Sequence, residues 1–121
     1  MPLLPSLKEK KRYIAFEIIA KEKFGFKDVK AALEKALLTY IGLLGTAKAG
    51  LQVFPELYRD NQGLVRVEHQ FDQHFKASLV LIDQINNQKA VVRSVGSSGI
   101  LKKAQEKYLR WTKYEITAKN G

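Results

Sequence analysis

A chain of 121 residues with 45% hydrophobic and 27% charged side chains has the length of one domain and enough apolar content for a core, which excludes a disordered tail. It has no cysteine, so disulfide frameworks, thiol nucleophiles and thiolate metal sites are excluded, and no apolar run approaches the roughly 18 residues of a membrane span. The formal net charge of +9 calls for a polyanionic partner, either nucleic acid or an acidic surface.

The opening MPLLPSLKEKK lacks a basic stretch ahead of a long apolar run, so no secretory signal and a cytoplasmic location are expected. Residues 13–19 alternate, with Ile14, Phe16 and Ile18 on one face and Tyr13, Ala15 and Glu17 on the other, which predicts a half-buried strand. In KDVKAALEKALLTYIGLLG, Asp28 can cap a helix whose stripe runs through Val29, Ala32, Leu33, Ala36, Leu37, Tyr40 and Leu44, ending at Gly42 or Gly45. Residues 51–58 read as a second strand, placed at a sheet edge by Pro55, which has no amide donor.

After the turn RDNQG, LVRVEH reads as a third strand, with Val65 and Val67 inward and Arg66 and Glu68 outward. Phe71, Phe75, Leu79 and Ile82 recur at helical spacing over about residues 71–84, and Val80 and Leu81 add more apolar surface than one core-facing stripe needs. The Asn86–Asn87 turn leads to a fourth strand over residues 89–95. A basic helix follows over about residues 98–114, carrying Ile100, Leu101, Ala104, Tyr108 and Trp111.

The order βαββαβα predicts an α+β, ferredoxin-like or RNA-recognition-motif-like sandwich. Its antiparallel sheet is ordered 4-1-3-2, with two helices on one face. The expected organisation is one domain: a basic N-terminal arm over 1–11, a core over 12–97, and a basic helix and tail over 98–121.

Charge follows this topology. Residues 1–12 carry a net +3 and residues 99–121 a net +4, while the 86 residues between carry only +2. In the predicted sheet the start of strand one lies beside the end of strand four, the end of strand three and the start of strand two. Residues 8–12, the 45–50 loop, residues 69–74 and residues 96–103 should therefore meet on one cationic rim suited to phosphate. Lys10, Lys11, Arg12, Lys48, Lys102 and Lys103 are the candidates for RNA contact, with Arg66, Lys76 and Arg93 as outliers. In VGSSGILKK the two glycines let an anion approach backbone amides at a helix start, which adds Ser97 and Ser98. The plainer reading of that stretch is a Ser-capped helix after a glycine turn.

An RNA-recognition motif stacks bases on aromatic residues of its first and third strands. Here strand one offers Tyr13 alone and LVRVEHQ offers none, so the backbone of a structured RNA fits better than stacked single strands. The stretch HQFDQHF places Asp72 between His69 and His74, but its spacing fits no common zinc pattern, and capping or RNA contact is the simpler role. No nucleophile elbow, triad, dinucleotide fingerprint or acylphosphatase-type loop is visible, so no catalytic residue and no cofactor are expected on the chain itself. The apolar residues Leu43, Leu44, Leu51, Val80 and Leu81 are candidates for a protein interface, unless the C-terminal helix covers them. Tyr108 and Trp111 are expected to anchor that helix to its own domain.

Taken together and in order, KEKKRYIAFEI, LGTAKAGL, GLVRVEH with KASLVLI, and VGSSGILKKA resemble the archaeal ribonuclease P protein component 2 family over about residues 7–107. The resemblance implies an RNA-binding subunit of the ribonucleoprotein that removes the 5′ leader of precursor tRNA, with catalysis residing in the RNA and its bound Mg²⁺. It also implies a partner protein, the TIM-barrel-like component 3 of ribonuclease P, joined as a heterotetramer of two copies each. Two other readings compete: an interaction module whose basic ends bind another polyanion, and a small phosphate-ester or acyl-phosphate hydrolase.

Overall fold

The computed structural model describes residues 10–109. Its centre is strand β1 (Lys11–Ile19), hydrogen-bonded on both sides. Ile14, Phe16 and Ile18 are buried on one face, while Ala15 is buried and Tyr13 half-buried on the other. The strand is therefore covered on both faces, more completely than a half-buried strand would be.

Helix α1 (Phe26–Ala49) follows Gly25, which is extended, so Asp28 lies in the first turn rather than at the cap. A carboxylate there still complements the partial positive charge of the helix N-terminus. The helix does not end at Gly42 or Gly45. Gly42 takes φ 80 and ψ 177, a conformation closed to residues with a Cβ, and kinks the helix before it resumes to Ala49.

Strand β2 (Gln52–Val53) pairs with β3 (Gln62–Glu68) at the sheet edge. It is shorter than expected because Pro55 opens a 3₁₀ turn, Pro55–Leu57, instead of continuing the ladder. Asp60 and Asn61 then turn the chain into β3 with positive φ at both residues. A 3₁₀ turn (His69–Phe71), helix α2 (Asp72–Ser78) and a second 3₁₀ turn (Leu79–Leu81) occupy the stretch read as one helix.

The Asn86–Asn87 turn, also at positive φ, closes a hairpin of β4 (Gln84–Ile85) and β5 (Gln88–Lys89) that was not anticipated. Strand β6 (Val91–Ser98) completes the main sheet, and α3 (Leu101–Tyr108) follows. Ser98 still pairs with Tyr13 in the sheet, which is why α3 starts three residues later than expected. Trp111 and the tail lie outside the described residues.

The sheet order β2-β3-β1-β6 is the 4-1-3-2 order, with β6 as the fourth strand. Two helices, α1 and α2, back one face over a core of Ile14, Phe16, Val29, Leu33, Val65, Val67 and Phe75. Each such fully buried side chain contributes roughly 1.5–3 kcal/mol. Helix α3 crosses the opposite face, where Ala104 and Leu109 join Ala15, Leu57 and Leu64, flanked by Tyr13, Phe54, Leu101 and Tyr108. The face that an RNA-recognition motif leaves open is closed here by the chain's own helix.

Candidate nucleic-acid interface

The start of β1 is held between the end of β3 and the end of β6. Lys11 pairs with Glu68 and Tyr13 with Ser98, and the His69 amide donates to the Lys10 carbonyl at 2.8 Å. These pairings place Lys10, Lys11, Arg12, Tyr13, His69 and Gly99 around one open cavity of about 730 Å³. Gly99 lies close to Arg12, since a Cβ there would stand in ordinary contact with Arg12 Nη1 at 3.6 Å. Three of the four segments expected at the rim are thus in contact. The fourth also arrives: a Cβ on Gly50, at the exit of α1, would stand 3.8 Å from Glu68 Oε2.

Charge at this rim is organised in pairs. Lys11 Nζ donates to Glu68. Arg12 Nε lies 3.6 Å from Asp72 Oδ2, and Lys76 Nζ lies 3.2 Å from Asp72 Oδ1. Lys76 Nζ also donates to Ser97 Oγ at 3.3 Å, so an expected outlier belongs to the rim and ties α2 to β6. The Ser98 hydroxyl accepts from the Ile100 amide at 3.1 Å in a local Ser turn, but it does not cap α3 as the plainer reading of VGSSG has it, because the N-cap is Ile100 and makes no side-chain cap bond. Lys48 is exposed in the last turn of α1, and Lys102 and Lys103 are exposed in the first turn of α3.

Arg66 and Arg93 are not among the cavity's lining residues. Arg66 stands opposite Tyr13 on the α3 side of the sheet, donating to Gln52 with its guanidinium 5.9 Å from the Phe54 ring centroid. Arg93 lies opposite Glu17, farther along β1, and pairs with it at 3.3 Å.

The two histidines have different neighbourhoods. His69 lines the basic cavity, whereas His74 packs beside Phe71 and Tyr40, with ring centroids 5.4 and 6.4 Å away. Among the described residues no group of His, Cys, Asp and Glu side chains could hold a metal ion. Nor is any helix there long and apolar enough to cross a membrane.

Of the apolar interface candidates, Leu43, Leu44, Val80 and Leu81 are exposed, Val80 by 81% and Leu44 by 78%. Helix α3 lies across the other face of the sheet and does not cover them. Leu51 differs, because it is half-buried against the main core. Tyr108 anchors α3 to the sheet, as expected. Sequence reasoning missed the pairing of Asp72 with cations, having weighed the stretch around it for metal binding against capping or RNA contact; the signal available was its i,i+4 spacing to Lys76.

Comparison with known proteins agrees with the resemblance read from the four segments. Residues 12–109 match the sequence model of the Rpp14/Pop5 family. The chain is 37% identical to the ribonuclease P protein component 2 of Thermococcus gammatolerans over 107 residues, covering 88% of this chain and 89% of that protein. It is 38% identical to the protein of the same description from Pyrococcus furiosus over 109 residues, with the same coverage of each. For the one from Methanococcus vannielii the identity is 36%, covering 88% of this chain and 81% of that one. A chain in a cryo-EM structure of yeast ribonuclease MRP superposes with a TM-score of 0.63 at 14% identity, covering 91% of this chain and 93% of its own, a likeness of fold.

Proposed function

Because this chain belongs to the Rpp14/Pop5 family, we propose that it is an RNA-binding protein subunit of a cytoplasmic ribonuclease P particle that removes the 5′ leader of precursor tRNA. The observation that carries the RNA-binding part is the basic cavity at the sheet rim, where Lys10, Lys11 and Arg12 meet His69 and Gly99. Cations set this close neutralise backbone phosphate without reading bases, and the other sheet face is closed to base stacking by α3. A protein that neutralises phosphate reduces repulsion between packed RNA helices, and so lowers the Mg²⁺ that the RNA needs to keep its active fold.

In this reading the RNA performs the chemistry. Lys10, Lys11, Arg12, Lys76, Ser97 and Ser98 contact its backbone, with Lys48, Lys102 and Lys103 extending the contact along neighbouring turns. Leu43, Leu44, Val80 and Leu81 are exposed apolar side chains suited to a protein partner, the TIM-barrel-like component 3, in a two-plus-two assembly. Backbone footprinting of a ribonuclease P RNA tests the RNA-binding half. The wild-type chain should protect a contiguous set of phosphates, and a Lys11→Ala/Arg12→Ala variant should lose that protection. Protection unchanged in the variant would move the RNA site elsewhere.

A further inference from the structure

The cationic rim contains one carboxylate that its positive neighbours share. Asp72 has a side chain only 13% exposed, and its two oxygens face cations from different elements: Oδ2 lies 3.6 Å from Arg12 Nε of β1, and Oδ1, which makes no hydrogen bond, lies 3.2 Å from Lys76 Nζ, one turn on in α2. Lys76 is fixed a second time by Ser97 of β6. The charged groups facing Asp72 are therefore Arg12 and Lys76, and Ser97 completes the chain of contacts across three elements.

A rim built only to attract polyanions gains nothing from a carboxylate beside its cations, which cancels charge and repels phosphate. A shared carboxylate does, however, remove the freedom of two long side chains whose rotamers otherwise range widely. Its pairing engages Arg12 through Nε, while Nη1 is the atom nearest the Gly99 position at the cavity. The closest approach of Arg12 to the carboxylate is thus through Nε and not through the two Nη donors.

We infer that Asp72 is a positioning residue that holds Arg12 and Lys76 at a set separation, so that the rim selects folded RNA, whose phosphates are fixed in space, over flexible polyanions carrying the same charge. This rests on the reading of the rim as an RNA-binding surface, and deepens it by naming the class of RNA preferred.

The test compares Asp72→Asn with wild type on two probes, a folded ribonuclease P RNA transcript and poly(U), at several salt concentrations. Affinity for the folded RNA should fall about tenfold as the cations lose their orientation. Affinity for poly(U) should hold or rise, since the variant gains one net positive charge. Asp72→Glu should restore part of the preference for the folded RNA. Tighter binding of both RNAs would show Asp72 to be a repulsive charge only and overturn the inference, as would equal change on both. Should Asp72→Asn melt at a lower temperature, the comparison is repeated below the melting range of both chains, where an equal change on both probes again overturns the proposal. Arg12→Ala separates the two claims. If it leaves binding of the folded RNA unchanged, the rim reading itself fails; if it weakens binding while Asp72→Asn does not, only the positioning role fails.

Discussion

The ring of Tyr108 lies so close to the backbone of Gly96 that a Cβ on that glycine would come within 2.2 Å of a ring carbon. Gly96 is thus the seat on which the last turn of α3 rests, and the seat closes the sheet face on which RNA-recognition domains stack bases. Replacing Gly96 with valine should drive Tyr108 off the strand and loosen α3 from Ala15 and Leu64, costing roughly 1–3 kcal/mol, as overpacking does. Urea denaturation of the variant measures this. A midpoint equal to wild type would mean that Tyr108 does not hold the helix.

Lys10 is exposed at the mouth of the basic cavity. Lys10→Ala should weaken binding to structured RNAs of unrelated sequence by similar factors, and should reduce the slope of log affinity against log salt by roughly one. Titrations at a series of salt concentrations give both quantities. A change in sequence preference instead would mean that Lys10 reads bases.

The exposed leucines just beyond the Gly42 kink should act in assembly and not in folding. Leu44→Glu, at a side chain 78% exposed, should leave stability within about 0.5 kcal/mol of wild type while abolishing co-elution with the protein partner. Thermal melting and size-exclusion chromatography read the two effects separately. Intact co-elution would place the partner on another surface.

Tyr58 supplies a pH signature. Its hydroxyl donates to the Phe24 carbonyl at 2.7 Å and lies 3.1 Å from Asn61 Oδ1, and the ring stacks on Phe16. Burial disfavours the phenolate and pushes the hydroxyl up to about 12; a hydrogen bond with the Asn61 backbone opposes this, and the charge of Asp60 adds to it. The folded chain therefore keeps a proton that the unfolded chain loses near pH 10.0. The stability tied to that proton is fully present below pH 10.0 and lost as the pH rises toward about 12. Tyr58→Phe, which lacks the group, should cost about 1 kcal/mol near neutrality, and its deficit relative to wild type should shrink across that window. A deficit that stays constant with pH would show that Tyr58 titrates normally.

Most of the fold was legible because alternation and helical spacing report burial directly: Ile14, Phe16 and Ile18, and Val65 with Val67, face the core that the pattern assigns them. Pro55 likewise placed β2 at the edge. What escaped was set by backbone conformation or by non-local packing. Gly42 resembles a helix terminator, yet it kinks a helix that continues to Ala49. Asn86–Asn87 carries the φ > 0 chemistry of a hairpin turn, but the strands it joins have two residues each, too few to show alternation. At the rim, the run of like charges was visible in the sequence. The pairing of Arg12 and Lys76 through Asp72 was not, because Arg12 and Asp72 are sixty residues apart and meet only when the start of β1 lies beside the end of β3.

A subunit that supports a catalytic RNA makes cleavage depend on its own presence, and omission reconstitution measures that dependence. A ribonuclease P RNA, the remaining protein subunits and a precursor tRNA are combined at limiting Mg²⁺ with and without the chain, and release of the 5′ leader is followed. Cleavage should depend on the chain, the chain alone should cleave nothing, and the dependence should vanish at high Mg²⁺. Equal cleavage with and without the chain at limiting Mg²⁺ would contradict this role.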